Sequence, residues 1–196
     1  MQTIRSFISV PLPPGITSAA AKMIKRLREY SDSMKWVPVD NMHLTLKFLG
    51  EVDNIEVHDI CKAMRKVAVD IQPFELEFGG AGGLPGNDRA RVIYMGVTDP
   101  SGSLTRLVNG LETALADLGY RPESRDYVPH LTLGRVRSNS RKAGTELVQA
   151  LEETSATNVG EMVVDEIQLI GSFLDKQGPS YHVMDSLGLG EAESAD

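Results

Sequence analysis

The sequence lacks the features that mark secreted and membrane proteins. Its 196 residues include a single cysteine, Cys61, which excludes an intramolecular disulfide and favours a reducing compartment. The first residues lack the uninterrupted apolar core of a signal peptide. No apolar run approaches the roughly 20 residues needed to cross a bilayer. These absences predict a cytoplasmic protein that has no membrane partner.

Positive charge is also scarce. The 20 lysines and arginines are outnumbered by 27 acidic residues, which gives a formal net charge of −7. Proteins that follow long nucleic acids usually carry a basic face, because phosphate neutralisation supplies most of their non-specific affinity. If nucleic acid is the substrate, we therefore expect the protein to hold one terminus. Part of the acidic excess lies at the C-terminus, where we predict a flexible tail over residues 188–196 after a single domain of residues 1–187.

Familiar cofactor and metal motifs are missing. The sequence has no His-Glu-x-x-His, no paired cysteines and no Gly-x-Ser-x-Gly. The glycine-rich segment Gly79–Asp88 matches neither a phosphate loop nor a dinucleotide fingerprint, and its composition predicts a flexible connection near the cleft. We predict neither a metal nor a cofactor.

What the sequence does contain is the tetrad His-Leu-Thr-Leu, twice. The copies are His43–Leu46 and His130–Leu133. On a strand, side chains at i and i+2 point to the same face, so each copy offers an imidazole beside a hydroxyl, with two leucines facing the core. Two such strands facing each other would form a cleft with two histidines and two threonines.

This set of side chains is typical of metal-free hydrolysis of a phosphodiester. An imidazole titrates near pH 6.5, so one histidine could accept a proton while the other donates one. The hydroxyls of Thr45 and Thr132 could hold the phosphate oxygens. Lys47 shares the parity of Thr45, and alternation predicts that it faces the cleft. Arg135 has the opposite parity to His130, so it would need a bulge or a strand end to bind substrate.

The other two histidines, His58 and His182, have no patterned neighbours and are predicted to be either surface residues or structural side chains with satisfied hydrogen bonds.

Helical and extended patterns alternate along the chain, each tetrad strand being followed by a helix. This spacing indicates an internal duplication with two similar lobes. The predicted strands are Thr3–Val10, Lys35–Val37, Met42–Leu49, Phe74–Phe78, Arg91–Val97, Val128–Arg135, Glu161–Phe173 and Tyr181–Asp185, and the predicted helices are Ile16–Tyr30, Ile55–Val69, Ser103–Leu118 and Arg141–Glu153.

The blocks around the tetrads resemble the two-histidine (2H) phosphoesterase superfamily, with its His-x-Thr-x motifs. The chain is most similar there to the bacterial and archaeal RNA 2',3'-cyclic phosphodiesterases, formerly called 2'-5' RNA ligases. The matching blocks are Arg5–Val10, Lys35–Pro38, Asn41–Gly50, the glycine-rich segment leading to Arg91–Val97, and Tyr127–Val136.

The resemblance implies a bilobal α+β fold of two antiparallel sheets, related by a pseudo-two-fold axis, with helices on the outer faces and a central cleft. It implies hydrolysis of an RNA 2',3'-cyclic phosphate to a 2'-phosphate without a metal. By motif position, His43 would be the proton donor and His130 the proton acceptor, with Thr45 and Thr132 holding the phosphate. From the residues alone, the two histidine roles are interchangeable.

Three alternatives remain open from the sequence. The substrate could be an RNA 3' end or a small 2',3'-cyclic nucleotide. The reverse reaction would join RNA ends through a 2'-5' linkage. A non-catalytic protein could keep the cleft to bind RNA or a nucleotide, although binding needs no acid and base together. No protein partner follows from the sequence, and a monomer is expected.

Overall fold

Nine β-strands in the described residues form two antiparallel sheets. The computed structural model describes residues 3–137, 144–175 and 178–191. The strands are β1 (Thr3–Val10), β2 (Met34–Trp36), β3 (Leu44–Asp53), β4 (Phe74–Leu84), β5 (Val92–Thr98), β6 (His130–Val136), β7 (Asn158–Val164), β8 (Glu166–Asp175) and β9 (Gly178–Gly188). The α-helices are α1 (Pro14–Arg28), α2 (Val57–Ala68), α3 (Ser103–Ala116) and α4 (Thr145–Thr154).

The two sheets share one arrangement of strands. The first sheet has the order β3-β1-β8-β9, and the second has the order β2-β6-β5-β4-β7. With β2 set aside as an extra edge strand, β6-β5-β4-β7 of the second sheet corresponds to β3-β1-β8-β9 of the first. Both tetrads therefore lie at the same place in their sheets. The predicted α+β fold with two antiparallel sheets is confirmed.

Each sheet takes strands from both halves of the chain. After β3 and α2, the chain crosses into the second sheet as β4, and after β7 it returns to the first sheet as β8. Helices α2 and α3 contact the first sheet, and α1 and α4 contact the second. None of the helices within the described ranges is long and apolar enough to cross a membrane.

The leucines of the tetrads are buried as the alternation predicts. All four are at most 3 % exposed and belong to the main hydrophobic core: Leu44, Leu46, Leu131 and Leu133. Burying a leucine side chain stabilises a fold by roughly 1.5–3 kcal/mol. Their burial fixes which face of each strand turns toward the core, and so which face carries the histidine and the threonine.

The prediction of a glycine-rich loop is wrong over most of its length, because β4 continues through Gly79 to Leu84 and pairs with β5. The composition is misleading here because these glycines are required by close packing between strands. A Cβ at Gly79 would lie 2.6 Å from the carbonyl oxygen of Thr157, and one at Gly82 would lie 2.6 Å from Tyr94 Oη. Gly80 adopts a positive φ of 57° at a register shift in the β4–β5 pairing.

Two other boundaries also differ from the predictions. The single extended segment Glu161–Phe173 is in fact two strands, β7 and β8, which belong to different sheets. The tail prediction begins too early, because Leu189 is 3 % exposed and its N–H donates to Asp165 O at 2.7 Å. Residues 192–196 of the predicted tail, and residues 141–143 of the predicted fourth helix, lie outside the described residues.

We predict that Gly79→Ala destabilises the protein. The new methyl group would meet the backbone oxygen of Thr157, which cannot move without disturbing the chain before β7. Overpacking of this kind typically costs about 1–3 kcal/mol. The free energy of unfolding from denaturant titration checks the expectation. Gly15→Ala is the matched control, because a Cβ there meets nothing within 4 Å; equal stability of the two variants would contradict the packing argument.

Candidate active site

A cavity of about 670 Å³ lies between the two motif strands. His43 and Thr45 line it from the side of β3, and Thr132 and Arg135 line it from β6. His130 is not among the lining residues, but alternation along β6 puts it on the same face as Thr132, beside the cavity. The structure therefore brings the predicted threonines and one predicted histidine to one cavity, with the second histidine adjacent.

His43 is held by a hydrogen bond and by aromatic rings. Its Nδ1 lies 2.9 Å from the carbonyl oxygen of Asn41. Its ring stacks on Phe7, with centroids 4.5 Å apart, and meets the edge of Tyr181 at 5.2 Å. These contacts fix the plane of the imidazole. The tetrad sequence does not predict these contacts, because Phe7 lies on β1 and Tyr181 on β9, both distant from His43 in the sequence.

His130 has the same hydrogen bond at the same offset. Its Nδ1 lies 2.7 Å from the carbonyl oxygen of Val128, two residues before it, and its ring lies edge-on to Tyr94 with centroids 5.9 Å apart. A carbonyl oxygen only accepts, so Nδ1 of each histidine must carry the proton in this bond. This leaves Nε2 of both rings free to exchange a proton with a ligand.

The environment of His43 lowers its pKa below the ordinary value of 6.5. The main cause is burial, which disfavours the charged ring, and the positive charge of Arg135 acts in the same direction. The hydrogen bond to Asn41 O opposes these effects in part. The neutral form of His43 is therefore favoured at neutral pH, and an anion bound beside the ring would raise its pKa.

A bulge follows the threonine in both motif strands. In the β1–β3 pairing, Ser9 opposes Thr45 and Ile8 opposes Lys47, which leaves Leu46 without an opposite residue. In the β5–β6 pairing, Tyr94 opposes Thr132 and Ile93 opposes Gly134, which leaves Leu133 without one. A bulged residue reverses the parity of everything that follows it on the strand.

Arg135 gains its place in the cavity from this bulge. With one extra residue in β6, the guanidinium side chain turns to the face that carries Thr132, and Arg135 lines the cavity. Phe48 holds the equivalent place on β3 and also lines the cavity. The two motif strands therefore present a cation from one sheet and an aromatic ring from the other.

The same bulge overturns the prediction for Lys47, which does not face the cleft. Lys47 is 2 % exposed on the core side of β3. Its Nζ lies 2.6 Å from Glu112 Oε2 on α3 and donates to the carbonyl oxygen of Arg121 at 3.1 Å. Simple alternation failed because it allows no extra residue between Thr45 and Lys47. Lys47 holds β3 to α3 and is not placed to bind substrate.

Two points remain: the other two histidines, and the cavity residues that the sequence did not predict. His58 and His182 are exposed, as expected. Sequence reasoning missed Arg5, Phe48 and Tyr181, which line the cavity from the first sheet. Arg5 and Phe7 are two residues apart on β1, so the sequence does predict that they share a face. Nothing in the sequence showed which face of β1 adjoins the cavity.

Tyr127 ties the two motif regions together. Its hydroxyl donates to the carbonyl oxygen of Thr45 at 2.9 Å, across the space between the segment that precedes β6 and strand β3. Burial raises the pKa of Tyr127, so the phenol stays protonated and keeps donating. The bond fixes the approach of one motif strand to the other.

Comparison with known proteins identifies the family. A family model for the 2'-5' RNA ligase superfamily matches residues 16–172, which include both motif strands, β3 and β6. The chain belongs to this superfamily.

Two relatives align with nearly the whole chain. An RNA 2',3'-cyclic phosphodiesterase of Methanothermobacter thermautotrophicus is 34 % identical over 182 residues, or 93 % of this chain and 97 % of the relative. One of Aquifex aeolicus is 31 % identical over 191 residues, or 97 % of this chain and all of the relative. The resemblance seen in the sequence to the 2H phosphoesterase superfamily is thereby confirmed.

Two solved structures share the fold of this chain. TT0787 of Thermus thermophilus superimposes with a TM-score of 0.80 at 25 % identity, covering 95 % of this chain and 98 % of that one. E. coli LigT complexed with 3'-AMP superimposes with a TM-score of 0.71 at 25 % identity, covering 97 % of this chain and all of that one.

We predict that loss of the Lys47–Glu112 pair affects stability and not substrate affinity. Lys47→Met leaves the Glu112 carboxylate without its buried partner, and breaking such a pair typically costs about 3–5 kcal/mol. Denaturant titration measures the loss, and Glu112→Gln with the double variant completes a double-mutant cycle. A raised KM for a phosphodiester substrate in Lys47→Met, with unaltered stability, would restore Lys47 to the site.

We predict that Arg135→Gln raises the pKa of His43 toward 6.5. The guanidinium disfavours the charged imidazole, so its removal stabilises the protonated form. Adding inorganic phosphate to the wild-type protein should move the pKa of His43 in the same direction. NMR titration of the ring resonances measures both shifts, with Arg28→Gln, an exposed position outside the cavity, as the charge-matched control. A lower pKa in Arg135→Gln would contradict the electrostatic argument.

Proposed function

We propose that this protein hydrolyses the 2',3'-cyclic phosphate at an RNA 3' end to a 2'-phosphomonoester, without a metal. The observation that carries the proposal is the pair of equivalent histidines, each with Nδ1 bonded to a carbonyl two residues earlier and Nε2 left free. Two imidazoles fixed in the same way suit a reaction that takes one proton and gives one. The two relatives described above are RNA 2',3'-cyclic phosphodiesterases, which agrees with this chemistry.

The proposed roles follow motif position. His130 accepts a proton from the attacking water through Nε2, and the water oxygen bonds to phosphorus. His43 donates a proton to the 3' oxygen as its bond to phosphorus breaks, which yields the 2'-phosphate. Burial lowers the pKa of His43 and so favours its neutral form. The negative charge of the bound phosphate favours its protonated form, so the substrate itself prepares the acid.

The phosphate oxygens would be held from both sheets. The hydroxyls of Thr45 and Thr132 and the guanidinium of Arg135 line the cavity and all can donate to the non-bridging oxygens. Charge on these oxygens grows as water adds to phosphorus, so donors already in place stabilise the transition state more than the ground state. Lys47 has no part in this, because Glu112 holds it on the other face of β3.

Two alternatives are kept apart by their products. End-joining would use the 5' hydroxyl of a second RNA in place of water and would form a 2'-5' linkage. Water is in vast excess and ring opening releases strain, so we expect hydrolysis to dominate. A binding protein without activity would leave the cyclic phosphate intact. A cytoplasmic location and a monomeric state stay predictions.

We predict that His43→Ala and His130→Ala each lower kcat for an oligoribonucleotide cyclic phosphate by about 100-fold or more, the usual contribution of general acid–base catalysis. The assay separates 2'-phosphate, 3'-phosphate and 2'-5'-joined products by chromatography, with and without a 5'-hydroxyl RNA, in the presence of EDTA. His58→Ala is the matched control, since that histidine is exposed and does not line the cavity. Unchanged rates in both active-site variants would dispose of the mechanism.

The pH dependence assigns the two roles. The wild-type rate should follow a bell-shaped profile in pH, whose acidic limb reports the base and whose basic limb reports the acid. His130→Ala should lose the acidic limb and His43→Ala the basic limb. The opposite pattern would exchange the donor and the acceptor, and loss of wild-type turnover in EDTA would overturn the metal-free reaction.

A further inference from the structure

The cavity extends well beyond the histidines along the first sheet. On β1, Phe7 contacts the His43 ring, and Arg5 and Thr3 follow on the same face and also line the cavity. Each step of two residues advances about 7 Å along a strand, so Arg5 lies one such step and Thr3 two steps from the contact with His43. A single cyclic phosphate with its ribose does not need this length.

Arg5 is the cation of this extension. Its side chain is exposed, and it makes no hydrogen bond or ion pair with any residue in the part of the chain that the structure describes. In the register of the first sheet, Arg5 lies opposite Glu51 on β3 and opposite Ser172 on β8. The Glu51 carboxylate instead accepts a hydrogen bond from Thr3 Oγ1 at 2.9 Å. The guanidinium thus keeps its donors available for a ligand.

Arg5, Arg135 and Tyr181 all line the cavity. Burial raises the pKa of the Tyr181 phenol, while the charges of Arg135, from the second sheet, and Arg5, from the first, both act to lower it. Arg135 stands beside Thr132 at the reacting end, and Arg5 stands farther along the first sheet. Two separate cations on one path are suited to two successive phosphates of one strand.

Apolar side chains flank this path. Phe48 is 54 % exposed, Phe173 42 % and Leu174 86 %, and all three line the cavity. Exposed aromatic rings beside a cation are the usual means of holding single-stranded nucleic acid, because bases stack on the rings while the backbone contacts the charge. A binding surface for nucleotides explains why these side chains are exposed.

We propose that the cavity binds the last two nucleotides of an RNA 3' end, with Arg5 contacting the phosphodiester that joins them. The inference rests on the proposed function and adds to it a second nucleotide site, with Arg5 as the residue that binds the phosphodiester before the cyclic end. Arg5 is a specificity residue and does not touch the reacting phosphate. A short contact of this kind, with two arginines lining the cavity, agrees with a protein of net charge −7.

The test compares two substrates that differ by one nucleotide. Wild type should show a higher kcat/KM for a diadenosine ending in a 2',3'-cyclic phosphate than for adenosine 2',3'-cyclic phosphate. Arg5→Gln should lower this ratio about tenfold, the loss expected for one charge-assisted hydrogen bond. The loss should fall on KM rather than kcat, because the interaction is the same before and during the reaction.

Two further variants separate charge from general damage. Arg5→Lys should recover part of the ratio, because it restores the charge but not the two-pronged geometry. Arg28→Gln removes the same charge from the exposed surface of α1, outside the cavity, and should keep the wild-type ratio. Raising the salt concentration should reduce the wild-type preference and have a smaller effect in Arg5→Gln.

The outcomes distinguish the two proposals. Equal kcat/KM for the two substrates in wild type, or an unchanged ratio in Arg5→Gln, would overturn the role of Arg5 and leave the hydrolysis intact. Failure of wild type to open either cyclic phosphate would overturn the proposed function, and the two-nucleotide site with it. A fall in kcat alone in Arg5→Gln would also overturn the inference, because it would put Arg5 at the reacting phosphate.

Discussion

The active-site arrangement depends on the burial of four leucines behind the cavity. Leu44, Leu46, Leu131 and Leu133 are at most 3 % exposed, and they alternate with the histidines and threonines of the two tetrads. Because neighbouring side chains on a strand face opposite ways, the free energy of burying the leucines also turns the polar residues toward the cleft. A slip of one residue would put the histidines into the core, so the hydrophobic core sets the register of the site.

The two sheets are alike at the histidines and at the bulges after the threonines, and they differ in the residues that follow. Both strands carry a bulge there, and both histidines bond through Nδ1 to a carbonyl two residues earlier. The residues that follow differ. The first bulge presents Phe48 to the cavity and buries Lys47, whereas the second presents Arg135 and leaves Gly134 against the ring of Trp36. The two pseudo-symmetric sheets thus give the cavity one apolar side and one cationic side. An asymmetric ligand can therefore bind in a single orientation.

Exchange of strands between the sheets supports this arrangement. Strand β4 crosses into the second sheet and pairs with β5, and strand β8 returns to the first sheet and pairs with β1. Strands β5 and β1 are the neighbours of the two motif strands. The glycines of β4 allow its close approach to β5 and to the segment before β7. The hydrogen bond from Tyr127 to the backbone of Thr45 links the two motif regions directly. Sites built on such strands are held more closely than sites on loops.

The sequence by itself determined the identity of the tetrad residues, the faces of the motif strands as far as the threonines, and most helices and strands. It could do so because alternation and helical periodicity are local and the leucines leave one choice of face. The tertiary structure alone decided the two bulges, and with them the burial of Lys47 beside Glu112 and the entry of Arg135 into the cavity. It also decided that the glycine-rich segment is a strand and that Arg5 and Tyr181 line the site. These features depend on which strands become neighbours, and pairing between distant segments leaves no periodic signal in the residues that take part.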